Sequence, residues 1–205
     1  MPLNIIEKLR EREVPMQVQI TGKKIDISEA LRTQAENKIQ EISQKYALTP
    51  LECSVTFSKT GHMIKCDIEM HLAREIYVRA HEETLDAYLS IEQAIETFEK
   101  RLRRHKKRLI DHYKKRDIKY DKIPAAQYVI NAQLDQENEE DNPLVIAEMK
   151  TNIPTLTVSD AVMHLDLSDE QAILFNNEAR NQLNVVYRRP DGHVGWIAPS
   201  SNSHR

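Results

Sequence analysis

Two runs of alternating apolar residues constrain the fold of this chain more than any other feature. Leu51, Cys53, Val55 and Phe57 occupy odd positions, whereas Ile64, Cys66, Ile68, Met70 and Leu72 occupy even ones, with polar residues between. A period of two marks strands with one buried face. Antiparallel partners on one face have positions that sum to a constant, so odd against even demands an odd sum. A two-residue turn at Thr60-Gly61 gives 121, which predicts Cys53 opposite Ile68 and Val55 opposite Cys66. The two cysteines are then same-face neighbours without being directly paired, and they read as reduced core residues.

The flanking segments enlarge this hairpin into a domain. Met16-Gln-Val18-Gln-Ile20 alternates as a first strand, and Gly22 breaks it. Ser28 is a good N-cap, and Leu31, Ala35, Ile39, Ile42 and Tyr46 follow at spacings of three and four, predicting a helix over 29–46. After Ala73-Arg74, Ile76-Tyr-Val78-Arg-Ala80 supplies a fourth strand whose outward residues are Tyr77 and Arg79. From Thr84 the period becomes helical, with Leu85, Tyr88, Ile91, Ile95, Phe98, Leu102, His105 and Leu109 on one stripe that runs on toward Lys115. The expected fold is α+β: a β-α-β-β-β-α domain with two helices on one face of a four-stranded sheet.

Charge is segregated along the chain. Residues 1–119 hold 23 Lys+Arg against 19 Asp+Glu, or +4, and residues 120–205 hold 6 against 13, or −7, which together give the net −3. Within the first segment, Lys100 to Arg108 (KRLRRHKKR) has seven basic residues in nine positions and no acid. On a helix, Lys100, Arg104 and Lys107 line one flank of the stripe, and Arg101 and Arg108 the other. Like charges at i,i+4 each cost about 0.2–0.5 kcal/mol, so the run calls for an external counter-charge, for which rows of phosphates are the natural candidate. An anionic membrane surface fits less well, because the helix offers no exposed Trp or Phe to insert.

Several function classes are excluded. Four glycines, none in a phosphate-cradling array, rule out Walker and dinucleotide-binding enzymes. The longest apolar runs are four residues, Leu144–Ala147 and Ala172–Phe175, far short of a membrane span. Two cysteines and no apolar signal core predict a reducing, cytoplasmic setting. No CxxC or HExxH is present, so the sequence predicts no metal, no cofactor, no small-molecule substrate and no catalytic residue. Residues 1–15 form an extension in which Leu3, Ile6 and Leu9 share one helical face.

The acidic run DQENEED between Asp135 and Asp141 reads as part of a solvated linker over 120–142 that separates the first domain, 16–119, from a small second domain over 143–199, with a tail at 200–205. In that domain, a strand near Val145–Met149 precedes a capping box at Thr157-Val-Ser-Asp160, which opens a helix through Ala161, Val162, Leu165 and Leu167. Strands follow at Ala172–Phe175, Leu183–Arg188 and Val194–Ile197, with turns at Asn176-Asn177 and Pro190-Asp191-Gly192. Some 60 residues are marginal for an independent core, which predicts a homodimer built on shared strands. The expected interface is Ile173, Leu174 and Phe175 with Val185, Val186 and Tyr187. Arg188-Arg189 beside Asp191 reads as a structural or interface ion pair before it reads as an RNA site.

These motifs carry a resemblance. Ile20-Thr-Gly-Lys23, Ser28-Glu-Ala-Leu31 and Ala94-Ile95 followed by Phe98-Glu-Lys100-Arg-Leu102-Arg-Arg104-His-Lys106 resemble the ribosome-associated inhibitor and hibernation-promoting family. Asn184-Val-Val-Tyr187-Arg-Arg189-Pro-Asp-Gly192 with Gly195 and Ile197-Ala-Pro199 resembles the domain appended in the long forms of that family. The resemblance implies a regulator of translation in stress and stationary phase. It implies binding to rRNA and ribosomal proteins of the small ribosomal subunit, in the channel for messenger and transfer RNA. It also implies ribosome dimers joined through the second domain. By position, the RNA-facing cations would be Lys23, Lys100, Arg104 and Lys107, with Arg101, Arg103, Lys106 and Arg108 added by proximity. Thr97 stands where the family usually has Lys, and Arg101 where it has Gln. Ala172 stands where it carries an aromatic residue, leaving Phe175 and Trp196 as the nearest substitutes. A homodimeric scaffold acting on protein partners, its basic helix merely solvated, is the alternative.

Overall fold

The computed structural model describes residues 18–46, 48, 50–72, 76–114, 122–130 and 145–200. The expected extension 1–15, the Ala73-Arg74 connection and the acidic run 135–141 lie outside them. The chain forms two compact units, divided after Arg116, with Asp166–Glu170 grouped with the first.

In the first unit, β1 (Val18–Lys23), β2 (Glu52–Thr60), β3 (Met63–Leu72) and β4 (Ile76–Thr84) form a sheet in the order β1-β2-β3-β4. β1 runs parallel to β2, because helix α1 (Glu29–Lys45) carries the chain across between them, and the other pairs are antiparallel. Ser28 caps α1 by accepting from the Leu31 N–H at 3.2 Å. Helix α2 (Ala87–Lys114) follows β4. This is the β-α-β-β-β-α order that the sequence predicts.

Alternation decides the core. Cys53, Val55 and Phe57 of β2, Cys66, Ile68 and Met70 of β3, and Val78 and Ala80 of β4 are buried. They lie on the same side as Leu31, Ala35 and Ile39 of α1 and Ile91, Ala94, Phe98 and Leu102 of α2, which are buried too. The hairpin register differs from expectation by one step of two. Val55 pairs with Ile68, Cys53 with Met70 and Phe57 with Cys66, because the turn residues are Gly61-His62, with Thr60 opposite Met63. Gly61 takes φ +61°, a left-handed conformation that glycine adopts without penalty. An odd sum is kept, so the faces are right although the partners shift. Leu85 is 72% exposed and Tyr88 is exposed as well, because α2 begins only after Asp86, whose carboxylate accepts from the Leu89 N–H at 2.9 Å.

Burial pushes the Cys53 and Cys66 thiols up to about 12. Both are free. A thiol held neutral is a poor nucleophile. A thiol-exchange reagent at about pH 8 should therefore leave both unlabelled in the native chain, while titrating both once denaturant unfolds it. Fast labelling of either in the native chain would contradict this packing.

The second unit comprises β5 (Lys122–Ile130), β6 (Val145–Leu156), α3 (Val158–Leu167), β7 (Ala172–Asn177), β8 (Gln182–Arg188) and β9 (Val194–Ile197), with sheet order β5-β6-β7-β8-β9. The expected linker 120–142 thus contains a strand. β5 pairs antiparallel with β6, and its partner lies across the acidic run, so local composition hides it. Thr157 opens α3 as expected, its hydroxyl accepting from the Asp160 N–H at 3.1 Å. α3 packs on one face of the sheet, where Leu156, Ala161, Leu165, Phe175 and Val186 form the core. The β7–β8 turn lies beyond the expected Asn176-Asn177, which end β7 and are buried. Asn177 donates to the Asn184 side-chain oxygen at 3.1 Å, and Trp196 donates to the same oxygen at 2.9 Å. Asn184 therefore ties β7, β8 and β9 together by satisfying buried donors. No described helix is long and apolar enough to cross a membrane.

Candidate functional site

The basic run occupies the C-terminal part of α2, where the helix dipole favours cations. Phe98, Leu102, His105 and Leu109 are the buried stripe. With 100° per residue, the stripe divides the seven cations into three groups.

Lys100, Arg104 and Lys107 are exposed and lie opposite the buried stripe. They form an outward row about one helical turn apart. Arg101 lies on the flank toward β4, is half-buried, and donates to the backbone carbonyl of Arg79. On the same flank the Thr97 hydroxyl donates to the Glu82 carboxylate at 2.7 Å. Thr97 and Arg101 thus both dock α2 on β4. Arg108, also on this flank, is exposed.

Arg103 and Lys106 are exposed on the third flank, toward the end of α1. Lys106 Nζ lies 5.7 Å from the centre of the Tyr46 ring, a cation–π contact. The Tyr46 hydroxyl donates to Glu99 at 3.1 Å, and Lys45 pairs with the same carboxylate. The Lys45 hydrogen bond holds the Glu99 carboxyl below its ordinary range, whereas burial, then the bond to Glu99, pushes the Tyr46 hydroxyl up. This cluster joins the C-terminal end of α1 to the middle of α2, so the row stands on a fixed base.

Lys23 is exposed at the end of β1. Gly22, beside it, admits no side chain, since a Cβ there would run into the Ile25 carbonyl oxygen. Tyr77 and Arg79 face outward as expected, but they are engaged. Tyr77 stacks on His71 with centroids 4.4 Å apart and planes 7° apart, and Arg79 lies over Tyr77 while pairing with Glu69 at 2.5 Å. They form a cross-strand ladder on β3 and β4, which composition alone does not disclose.

In the second unit, alternation divides the six expected interface residues. Leu174, Val185 and Tyr187 lie on the open face of the sheet, whereas Ile173, Phe175 and Val186 face α3 and its core, Phe175 and Val186 fully buried. Ala172 is on the open face directly opposite Tyr187. The aromatic surface there comes from Tyr187, whose ring lies across Gly195 so closely that a Cβ on Gly195 would overlap it. Phe175 and Trp196 belong to the other face. Arg188 donates to the Leu165 carbonyl at 3.0 Å, and Arg189 pairs with Asp191 at 2.7 Å.

Residues 18–110 match the family model described as sigma 54 modulation protein / S30EA ribosomal protein, and residues 140–195 match the model for that family's C terminus. A ribosome hibernation promotion factor of Bradyrhizobium diazoefficiens is 35% identical over 192 residues, covering 90% of this chain and 95% of that protein. One of Rhizobium meliloti is 30% identical, covering 89% and 96%. A chloroplastic ribosome-binding factor of Spinacia oleracea is 24% identical, covering 88% and 67%. The expectation of a non-enzymatic protein agrees with that family. With both family models matched in sequence order and relatives aligned over nearly the whole chain, this protein belongs to the sigma 54 modulation protein / S30EA ribosomal protein family.

Proposed function

We propose that this chain is a ribosome hibernation factor whose first unit binds the small ribosomal subunit and whose second unit self-associates, joining two idle ribosomes. The observation that carries the reading is the outward row Lys100, Arg104 and Lys107 on a helix otherwise docked to its sheet. A fixed row of cations matches backbone phosphates without reading base identity, which suits recognition of one folded rRNA surface on every ribosome. Lodged in the channel for messenger and transfer RNA, the unit would exclude both and silence translation. Lys23, Arg103, Lys106 and Arg108 add to the positive field around the row, and Arg101 holds the helix in place. The names of the relatives, ribosome hibernation promotion factor and ribosome-binding factor, support the assignment. Leu174, Val185 and Tyr187 on the open face support self-association, and the setting is the cytoplasm, with the ribosomes.

The full chain should pellet with purified small subunits at low salt and convert ribosomes to dimers on sucrose gradients. A chain ending at residue 119 should pellet but give no dimers. Dimers persisting after that truncation would place the bridge in the wrong unit. A full chain that stays in the supernatant yet dimerises on its own would be the protein scaffold, its basic helix merely solvated.

A further inference from the structure

The open face of the second sheet extends further than the segment matched by the C-terminal family model. In the register between β5 and β6, Ile123 lies opposite Ile153 and Val129 opposite Ala147, and β6 continues into β7 with Thr155 beside Asn176. Odd positions of β5 and β6 therefore share a face with Leu174 of β7, Val185 of β8 and Ile197 of β9, whose pairings run in step. α3 covers the opposite face at β7, β8 and the end of β6, where Leu156 is buried, whereas on that face of the β5–β6 ribbon Tyr128 and Ile146 are exposed. No position on the open face of any of the five strands carries Asp, Glu, Lys, Arg or His. The other face of β5 and β6 does, with Lys122, Glu148 and Lys150. Ile123 and Val129 are each 40% exposed and Leu174 is 44% exposed, so apolar side chains on this face are uncovered both on the ribbon and on β7, which it joins through Thr155–Asn176 and Leu156–Asn177.

We propose that β5 is part of the self-association surface: a second copy seats on the charge-free face, and the β5–β6 ribbon extends the contact beyond β7–β9. This rests on the self-association reading above. Three observations point to a second copy as the occupant. Residues 120–205 carry −7, and a face that carries no charge lets two copies approach without like-charge contact. An apolar face is complementary to itself, as a two-fold interface requires. Five strands offer close to the roughly 20 residues a side of a standard interface, which β7–β9 alone do not. A two-stranded ribbon is also marginal in water by itself, and burial of its apolar face would secure it.

The test is sedimentation equilibrium of the full chain over a concentration series, with three variants. Ile123→Asp with Val129→Asp charges the open face of β5, Leu174→Asp charges that of β7, and Ala126→Glu places a charge on the other face of β5, opposite Lys150. The first two should each raise the dimer dissociation constant by about tenfold or more, and Ala126→Glu should leave it within about twofold. If Leu174→Asp breaks the dimer and the β5 pair does not, β5 lies outside the surface and this proposal is overturned, while self-association stands. Equal loss with Ala126→Glu would mean that the ribbon has merely unfolded, which also overturns it. A chain monomeric throughout the series would overturn self-association itself and leave the face to another segment of the chain or to a different protein.

Discussion

Reversing Lys100, Arg104 and Lys107 to Glu should weaken binding to small ribosomal subunits by on the order of 10²–10³-fold at about 0.1 M salt. Each phosphate contact releases close to one counterion, which at that salt is worth a little under one decade of affinity, so losing three contacts accounts for the range. The dependence of log K on log salt should flatten by about 2–3 in slope. All three residues are exposed opposite the buried stripe, and the ion pair that Arg104 makes with Asp166 at 2.7 Å is at the surface, so the helix should survive, which far-UV circular dichroism would check. Reversal of three acids elsewhere on α2, Glu92, Glu96 and Asp111, should not weaken binding. Equal binding by the basic-row variant would remove that row from the interface.

Phe98→Ala should produce the largest loss of stability. Phe98 is fully buried between α2 and the sheet. Removing a buried aromatic ring costs about 3–5 kcal/mol, the transfer of its carbons plus the cavity left behind. For a domain of this size, the melting temperature should fall by upwards of roughly 12 °C. Ribosome binding should fail at temperatures where the variant is unfolded and recover below them. That pattern would separate loss of the scaffold from loss of a contact, since the charge-reversal variant should bind poorly at every temperature.

The sequence discloses the fold through parity and period, and it errs where a partner is distant in the chain. Strand faces in the first unit follow from odd and even positions, but the register of β2 and β3 depends on which two residues turn, and only the left-handed φ of Gly61 fixes that. Leu85 and Tyr88 fit the helical stripe by spacing, yet the Asp86 cap begins the helix after Leu85, and both side chains face solvent. β5 is hidden because it holds Pro124 and precedes an acidic run, while its partner β6 lies beyond that run. The basic row is legible because residues 100, 104 and 107 share a flank by spacing alone. The docking role of Arg101 is not, since it depends on a carbonyl of β4 that only the folded domain brings near. In the second unit, alternation separates Leu174 from Ile173 and Phe175, which lie on opposite faces of β7 although they share one apolar run.

The proposed contact with the small ribosomal subunit runs through fixed cations on α2. Its most direct test is the affinity of the unaltered full chain for purified small subunits across a salt series. A linear fall of log K with log salt, with a slope steeper than about −2, is the predicted result for three or more phosphate contacts. An affinity that does not change with salt, or no binding at the lowest salt, would contradict it.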